Sequence, residues 1–380
     1  MLPALLLAIC AAVVAYILIG YPLLLAAHWW KAAPAIRKDL QFQAPVTVIL
    51  AVYNGGQFLR RKLDSLLATN YPAALLNVLV VSDGSTDETE AIAEEYKERN
   101  VRLLREPHRG KASALNRGLA EATGDIIFFT DVRQPLDPDA LAHLVANFAD
   151  PSVGAVTGEM RLRAADAGEQ ADMDLYWRYE LWVRQKHSAI DSIFTATGCI
   201  YAMRRELAEP IPPDTLSDDA FIPLRAFFRG YRVVFDPRAL AFDQPALAGS
   251  EFRRRWRNLA GLWQIHARMP ALFTARNRML FHFLSHKFSR LVLPWAIALG
   301  IAGTIALPAS VLRATLLWAL AGFLAIAALD WMTPKRWWAK RITSPARTFL
   351  LMNAASLFGV AVFFVPPQRL WKPTRVAGGR

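Results

Sequence analysis

Four long apolar runs frame a polar middle. The first covers residues 2–27 without a charged side chain, longer than the ~20 residues a spanning helix needs. A secretory signal would open on basic residues and have a shorter apolar core. Here the first charge is Lys31, so residues 1–30 read as an N-terminal transmembrane helix. The other runs, near 291–307, 314–329 and 348–365, predict a C-terminal transmembrane region over 291–367. Residues 271–290 mix Leu, Phe and Met with Arg, His and Lys. That pattern predicts an amphipathic helix on the membrane surface, an interfacial segment over 269–290. A basic tail, 368–380, closes the chain.

The middle, residues 40–268, alternates short apolar runs with helical spacing. VTVILAV, NVLVVSD, VRLLRE and DIIFFTD read as strands. Residues 56–68 place Phe58, Leu59, Leu63, Leu66 and Leu67 three to four apart, as a helix requires. A second helix opens at Thr86, and residues 111–122 read as a third. This alternation predicts an α/β domain with a largely parallel sheet and crossover helices.

Charge adds orientation. The net charge is +12, but the basic residues crowd 253–257 and the ends of the apolar runs. That is the expected cytoplasmic flank of a membrane protein, not a nucleic-acid surface. Lys31, Arg37 and Lys38 put the middle domain in the cytoplasm and the N-terminus outside; Trp29 and Trp30 suit the interface. Lys335, Arg336, Lys340 and Arg341 mark another cytoplasmic loop. If all four runs span, the tail lies outside despite Arg369, Lys372, Arg375 and Arg380. One interfacial run would remove the conflict. Cys10 and Cys199, both in apolar text, point to no disulfide or metal framework.

The candidate chemistry is acidic. Asp83, Asp131 and the pair Asp218–Asp219 each follow a short apolar run, in VLVVSDGSTD, DIIFFTDVRQ and TLSDDAF. An acid at the C-terminal end of a buried parallel strand points into the crevice where open α/β sheets bind ligands. Several such acids in a basic chain suggest a metal-assisted site for a phosphorylated donor.

In order along the chain, VILAVYNGG, VVSDGSTDET, RGKASALNRGL, FFTDVRQ, TLSDDAF and EFRRRWRNLAG resemble family 2 inverting glycosyltransferases. The likeness is to membrane polysaccharide synthases of the cellulose, hyaluronan and poly-N-acetylglucosamine type. It runs from about 45 to 290 and extends to the flanking spans. It implies a GT-A nucleotide-sugar-binding domain, a Rossmann-like mixed sheet, with flanking transmembrane helices. It also implies an integral protein of a bacterial-type cell membrane, with a UDP-sugar donor and a growing polysaccharide or lipid-linked acceptor. A single transfer to a polyprenyl-phosphate or glycolipid is one alternative; a catalytically weakened nucleotide-sugar-binding protein is another.

The resemblance assigns roles residue by residue. Val52, Tyr53 and Asn54 would lie against the base and ribose, with Gly55 where the family often has an acid. Asp83 would accept hydrogen bonds from the nucleotide, while Asp87 reads as a helix-start residue. Lys111 would neutralise phosphate, and Asn116 would bond the donor or brace its loop. Asp131 would hold Mg²⁺ or Mn²⁺, but Arg133 stands where the second acid of a D-x-D motif is expected. Arg133 would then contact phosphate or pair with an acid. Asp219 would be the base that deprotonates the acceptor, with Asp218 in place of the family's Glu. Arg254 and Arg257 would pair with the leaving diphosphate. Trp256 would stack on a sugar or anchor its helix, and Gly198 would allow close sugar approach. Tyr176, Trp177, Tyr179 and Trp182 read as core or interface rather than as sugar platforms.

Overall fold

The computed structural model describes residues 1–27, 30, 32–162, 170–244, 248–334 and 337–366. The predicted tail 368–380, with Trp29, Lys31, Lys335 and Arg336, falls outside these residues, as does the side chain of Tyr176. Ala32–Arg163 and Arg184–Leu247 form one compact unit; Met1–Lys31, Ala164–Val183 and Ala248–Val365 form another. The expected domain 40–268 is therefore divided between the two units.

The first unit is a seven-stranded sheet in the order β3-β2-β1-β4-β6-β5-β7. Its strands are β1 Val46–Val52, β2 Leu76–Asp83, β3 Val101–Glu106, β4 Ile126–Phe129, β5 Val153–Leu162, β6 Tyr201–Arg204 and β7 Arg232–Asp243. β1 pairs in parallel with β2 and β4, and β2 with β3. β6 runs antiparallel to β4 and β5, and β5 runs parallel to β7. The sheet is thus mixed. β1 and β2 are largely apolar and buried along nearly their whole length because helices cover both faces of central parallel strands. Helix Gly56–Leu67 buries Leu59, Leu63 and Leu66 in that core.

A register shift in β5 at Gly158 reshapes the sheet beside the acids. The Gly158 N–H donates to the Ile200 carbonyl at 3.0 Å, and its own carbonyl accepts from the Thr197 hydroxyl at 3.0 Å. A bulge of this kind re-aims the chain next to it. Here it fixes 197–200, the segment that carries Gly198.

The second unit holds four helices long and apolar enough to cross a membrane: Leu2–Ala26, Leu280–Ala306, Val311–Leu329 and Lys340–Phe363. The expected amphipathic helix over 271–290 is not one element. A 3₁₀ turn, Pro270–Phe273, is followed by a loop, and from Leu280 the chain runs helically into the second span. Asn277 causes the break: its side chain donates to the Leu272 carbonyl at 2.8 Å and accepts from the Met279 N–H at 3.0 Å, a turn in place of helix bonds.

Polar contacts join the helices of this unit. The Tyr16 and Ser285 hydroxyls lie 2.7 Å apart, and the Tyr21 hydroxyl is 3.0 Å from His282 Nδ1. Glu180 meets His286 Nε2 at 3.1 Å, Lys287 at 3.7 Å, and Arg290. Asp330 is buried against Lys340 and Arg347, both at 2.9 Å, and accepts from the Thr343 hydroxyl at 2.8 Å. Trp331, Trp337 and Trp338 flank this turn and are exposed, as aromatic residues at a membrane interface are.

Gly158 supplies the test of the bulge. A Cβ there would come 2.3 Å from the Ala239 carbonyl oxygen, a backbone atom that cannot rotate away. Gly158→Ala is expected to cost about 1–3 kcal/mol or more. It should appear as a lowered unfolding midpoint of the detergent-solubilised protein, whereas Gly322→Ala, in open space within a helix, should leave it unchanged or raise it.

Candidate active site

The C-terminal ends of β1, β2 and β4 carry the predicted loops. After β1, Asn54 takes a left-handed conformation, φ 49°, which Asn tolerates better than most residues. Its side-chain oxygen accepts from the Thr86 N–H at 2.8 Å, and its own N–H donates to the Ser85 hydroxyl at 3.1 Å. Asp87 accepts from the Gly56 N–H at 2.9 Å and the Thr89 N–H at 3.1 Å. Burial opposes ionisation of Asp87, but these donors and the Thr89 hydroxyl outweigh it and hold the carboxyl below its ordinary range. The Asn54 and Asp87 contacts tie the first two loops together.

Asp83, 3% exposed, is occupied by the next loop. Its carboxylate accepts from the Arg109 N–H at 2.7 Å and the Gly110 N–H at 3.0 Å, and lies 2.9 Å from His108 Nδ1. Asp83 therefore shapes the loop that leads into helix Lys111–Glu121. The His108 ring stacks on Tyr53, centroids 4.1 Å apart.

Lys111, the first residue of that helix, joins the remaining acids. Its Nζ lies 2.9 Å from Asp131 Oδ1 and 3.1 Å from Asp218 Oδ1. Burial would deprotonate this amine, but Asp131, Asp218 and Asp219 together keep it charged. Asp218 and Asp219 open helix Asp218–Phe228, where the helix dipole favours negative charge. They occupy its first turn; the cap is Ser217, and it makes no side-chain capping bond. Asp218 also accepts from the Tyr201 hydroxyl at 3.2 Å, and Tyr201 stacks on Phe129 at 4.7 Å.

Burial and the neighbouring Asp218 charge push the Asp219 carboxyl up to about 7, against Lys111 and Arg184, which lower it. Arg184 is fixed by a 2.7 Å bond from its Nη1 to the Thr197 hydroxyl. Gly198 sits close by: a Cβ there would lie 3.3 Å from Asp219 Oδ2. Its nearest neighbour is thus the proposed base.

One expected contact needs correction, and three residues with two readings each take the structural one. Val52 is buried in the core, so only Tyr53 and Asn54 stand at the strand end. Asn116 braces its loop: its amide donates to the Ile211 carbonyl at 2.7 Å and accepts from the Ile211 N–H at 2.8 Å, which uses both ends of the group. Arg133 pairs with an acid, buried Asp243, through two bonds of 2.9 and 2.6 Å. Trp256 anchors its helix: its indole N–H donates to the Phe358 carbonyl at 2.7 Å, and its ring packs in an apolar cluster with Phe252 and Leu259. Trp256, Arg254 and Arg257 lie on helix Ala248–Arg268, in the other unit.

The residues that a sequence reading misses are Lys62, Tyr201 and Arg184. Lys62 is fully buried, and burial pushes its ammonium down to about 7. A lysine at a position with helical core spacing is the signal that could have flagged it.

A divalent cation fits the site in a limited way. Asp131 has one oxygen on Lys111, while its other oxygen makes no hydrogen bond among the described residues. A single hard oxygen ligand suits Mg²⁺ or Mn²⁺, which keep waters and substrate phosphates in the shell. Among the described residues no group of three or more His, Cys, Asp or Glu side chains is arranged to hold a metal unaided.

Comparison with known proteins defines the class. The Glycosyl transferase family 2 model matches residues 47–211, and that of Glycosyl transferase family group 2 matches 131–332. The chain belongs to the family 2 glycosyltransferases, and its sheet is the GT-A fold. Among relatives, poly-β-1,6-N-acetyl-D-glucosamine synthase of Staphylococcus aureus is 26% identical over 221 residues, 56% of this chain and 53% of the synthase. The chain spans about half the length of the curated synthases it matches. The probable glycosyltransferase YdaM of Bacillus subtilis is 27% identical over 263 residues, 65% of this chain and 63% of YdaM. The mannosyltransferase PcManGT of Pyrobaculum calidifontis, solved with GDP-Man and Mn²⁺, superposes with a TM-score of 0.74 at 27% identity. The match covers 94% of this chain and 99% of that one.

The raised pKa of Asp219 has a stability consequence. The folded state holds this proton up to about pH 7 and the unfolded chain loses it near 4, so stability falls as pH rises between those values. Asp219→Asn is expected to raise the unfolding midpoint, by a margin that grows from about pH 4 to 7 and then levels off. Thermal scans across that range check it; a gain that does not vary with pH would contradict the assignment.

Proposed function

We propose that this protein is a membrane-anchored transferase that moves a sugar from a nucleoside-diphosphate donor, with inversion, to a hydroxyl of a lipid-linked or polysaccharide acceptor. The observation that carries this reading is the Lys111 ammonium held between Asp131 and Asp218, beside the raised carboxyl of Asp219.

Asp219 is the base. A carboxyl with a pKa near 7 is matched to taking a hydroxyl proton at neutral pH, which is worth about 10²–10⁴-fold. Arg184 and the helix N-terminus offset its charge once it is ionised. Asp218, held by Lys111 and Tyr201, keeps that proton affinity high. Attack by the acceptor oxygen on the anomeric carbon, in line with the departing diphosphate, inverts that carbon. Tyr53, stacked on His108, offers a flat surface to the base, and Asp83 holds the loop that supports this pair.

The local charge argues for a cation. Asp131 and Asp218 already balance Lys111 and Arg184, with Asp219 adding negative charge as it ionises, so the site has no positive surplus for a diphosphate arriving alone. Asp131 would hold Mg²⁺ or Mn²⁺, which when bound neutralises the developing charge on the leaving diphosphate.

The sheet unit is proposed to lie on the cytoplasmic side. Arg37 and Lys38, which follow the first span, favour that side by the positive-inside rule. The resemblance to polysaccharide synthases favours a UDP-sugar donor. A second reading pairs a single transfer with GDP-mannose, the donor bound by the mannosyltransferase that matches this chain nearly end to end.

Purified membranes assayed against UDP- and GDP-sugars, with nucleotide release and product size as readouts, separate these readings. Turnover with a UDP-sugar and long products supports the first; turnover with GDP-mannose and one added sugar supports the second. Donor binding without turnover would leave a nucleotide-sugar-binding protein and overturn both. Asp219→Asn should lower kcat by about 10²-fold or more while donor binding persists. The wild-type rate should rise with pH up to about 7, in line with the Asp219 carboxyl, and level off above. A flat profile from pH 5 to 8, or full activity in the variant, would remove Asp219 from that role.

A further inference from the structure

Lys62 lies on the inner face of helix Gly56–Leu67, beside Leu59, Leu63 and Leu66, and is fully buried. Its Nζ donates to the Thr130 hydroxyl at 2.7 Å and to the Gln134 carbonyl at 2.5 Å. The Thr130 hydroxyl gives its own proton to the Cys199 carbonyl at 2.7 Å, so toward Lys62 it can only accept. Two acceptors four positions apart thus share one amine, which has the donors to satisfy both.

These two acceptors bracket the turn that carries Asp131. On its other side the turn is held by Asp243, through Arg133 at 2.9 and 2.6 Å and through the Gln134 side chain at 2.8 Å. Asp131 itself has Lys111 as its partner. The aim of its free oxygen is therefore set by the backbone of the turn. A turn with two acids can be organised by the ion that the two chelate. A turn with one acid cannot, so the fold must hold that acid in place beforehand. The same network reaches the base: Cys199 follows Gly198, the residue packed closest to Asp219 Oδ2.

We propose that Lys62 is a positioning residue for Asp131: by tying Thr130 to Gln134, its buried amine fixes the one carboxylate that this turn offers to the cation of the donor diphosphate. The inference rests on the reading of Asp131 as that ligand.

Lys62→Met keeps the length of the stem and removes both donors. The readout is Mn²⁺ binding, followed by the resonance signal of the free ion with GDP or UDP present, alongside the unfolding midpoint. Asp131→Ala should weaken Mn²⁺ by more than about 10-fold, Lys62→Met by about 10-fold, and Thr130→Val, which cuts one end of the tie, by several-fold. Leu63→Ala, a cavity on the same helix, should lower the midpoint while Mn²⁺ affinity stays at wild type. Thr130→Val decides the matter if Lys62→Met does not fold. Wild-type Mn²⁺ affinity in Lys62→Met or Thr130→Val, with affinity lost in Asp131→Ala, overturns the role of Lys62 alone. Wild-type affinity in Asp131→Ala overturns the reading of Asp131, and the proposal with it.

Discussion

The Lys111 ammonium between Asp131 and Asp218 is the interaction on which the sheet unit's chemistry depends. These acids come from distant parts of the chain and would repel one another in a partly buried site. A unit charge about 4 Å from another is worth ~4 kcal/mol at an effective dielectric of about 20, so one amine between two carboxylates offsets much of that cost. Its position is inherited from Asp83, which gathers the amides of Arg109 and Gly110 just before the helix that starts at Lys111. Asp83 thus acts on the Lys111 end of the site through the backbone, as well as standing beside the stacked pair of Tyr53 and His108.

Arg133 changes the balance of the turn after β4 but does not join the cluster. A guanidinium presents a planar fork that matches a carboxylate, and buried Asp243 takes it with two bonds. Removing either partner would leave a buried charge unpaired, a loss of about 3–5 kcal/mol. The arginine therefore locks the turn to the end of β7. This leaves Asp131 as the turn's single contribution to charge in the site, and the acids of helix Asp218–Phe228 as the remainder.

What could be read from the sequence follows from range. β1 and β2 are largely apolar because they are buried on both faces, so they were legible, as were Asp83 and Asp131 at strand ends. Asp218 and Asp219 were not: the stretch before them is loop, and they stand in the first turn of a helix. Partnerships across the sheet were not legible. Nothing near Arg133 in sequence announces Asp243, 110 positions away, and nothing near Asn116 announces Ile211. Tyr201 reads as a strand residue until stacking on Phe129 turns its hydroxyl to Asp218. The interfacial helix over 271–290 failed for a local reason: composition carried the amphipathic pattern, but Asn277 satisfied backbone groups with its side chain and broke the helix.

The unit with the four long apolar helices settles its own charges. Glu180 is met by His286, Lys287 and Arg290, and Asp330 by Lys340 and Arg347. Both acids are buried, where an unpaired carboxylate is costly, and each has more cations than its own charge requires. The surplus is positive. Around Asp330 it lies beside exposed Trp331, Trp337 and Trp338, the combination suited to the headgroup layer, where ring faces and cations meet anionic lipid. A buried acid at the end of a span thus serves as an anchor for cations that would otherwise be free to leave the helix ends. The same surplus is a small part of the basic net charge, +12, of a chain whose candidate active site is acidic.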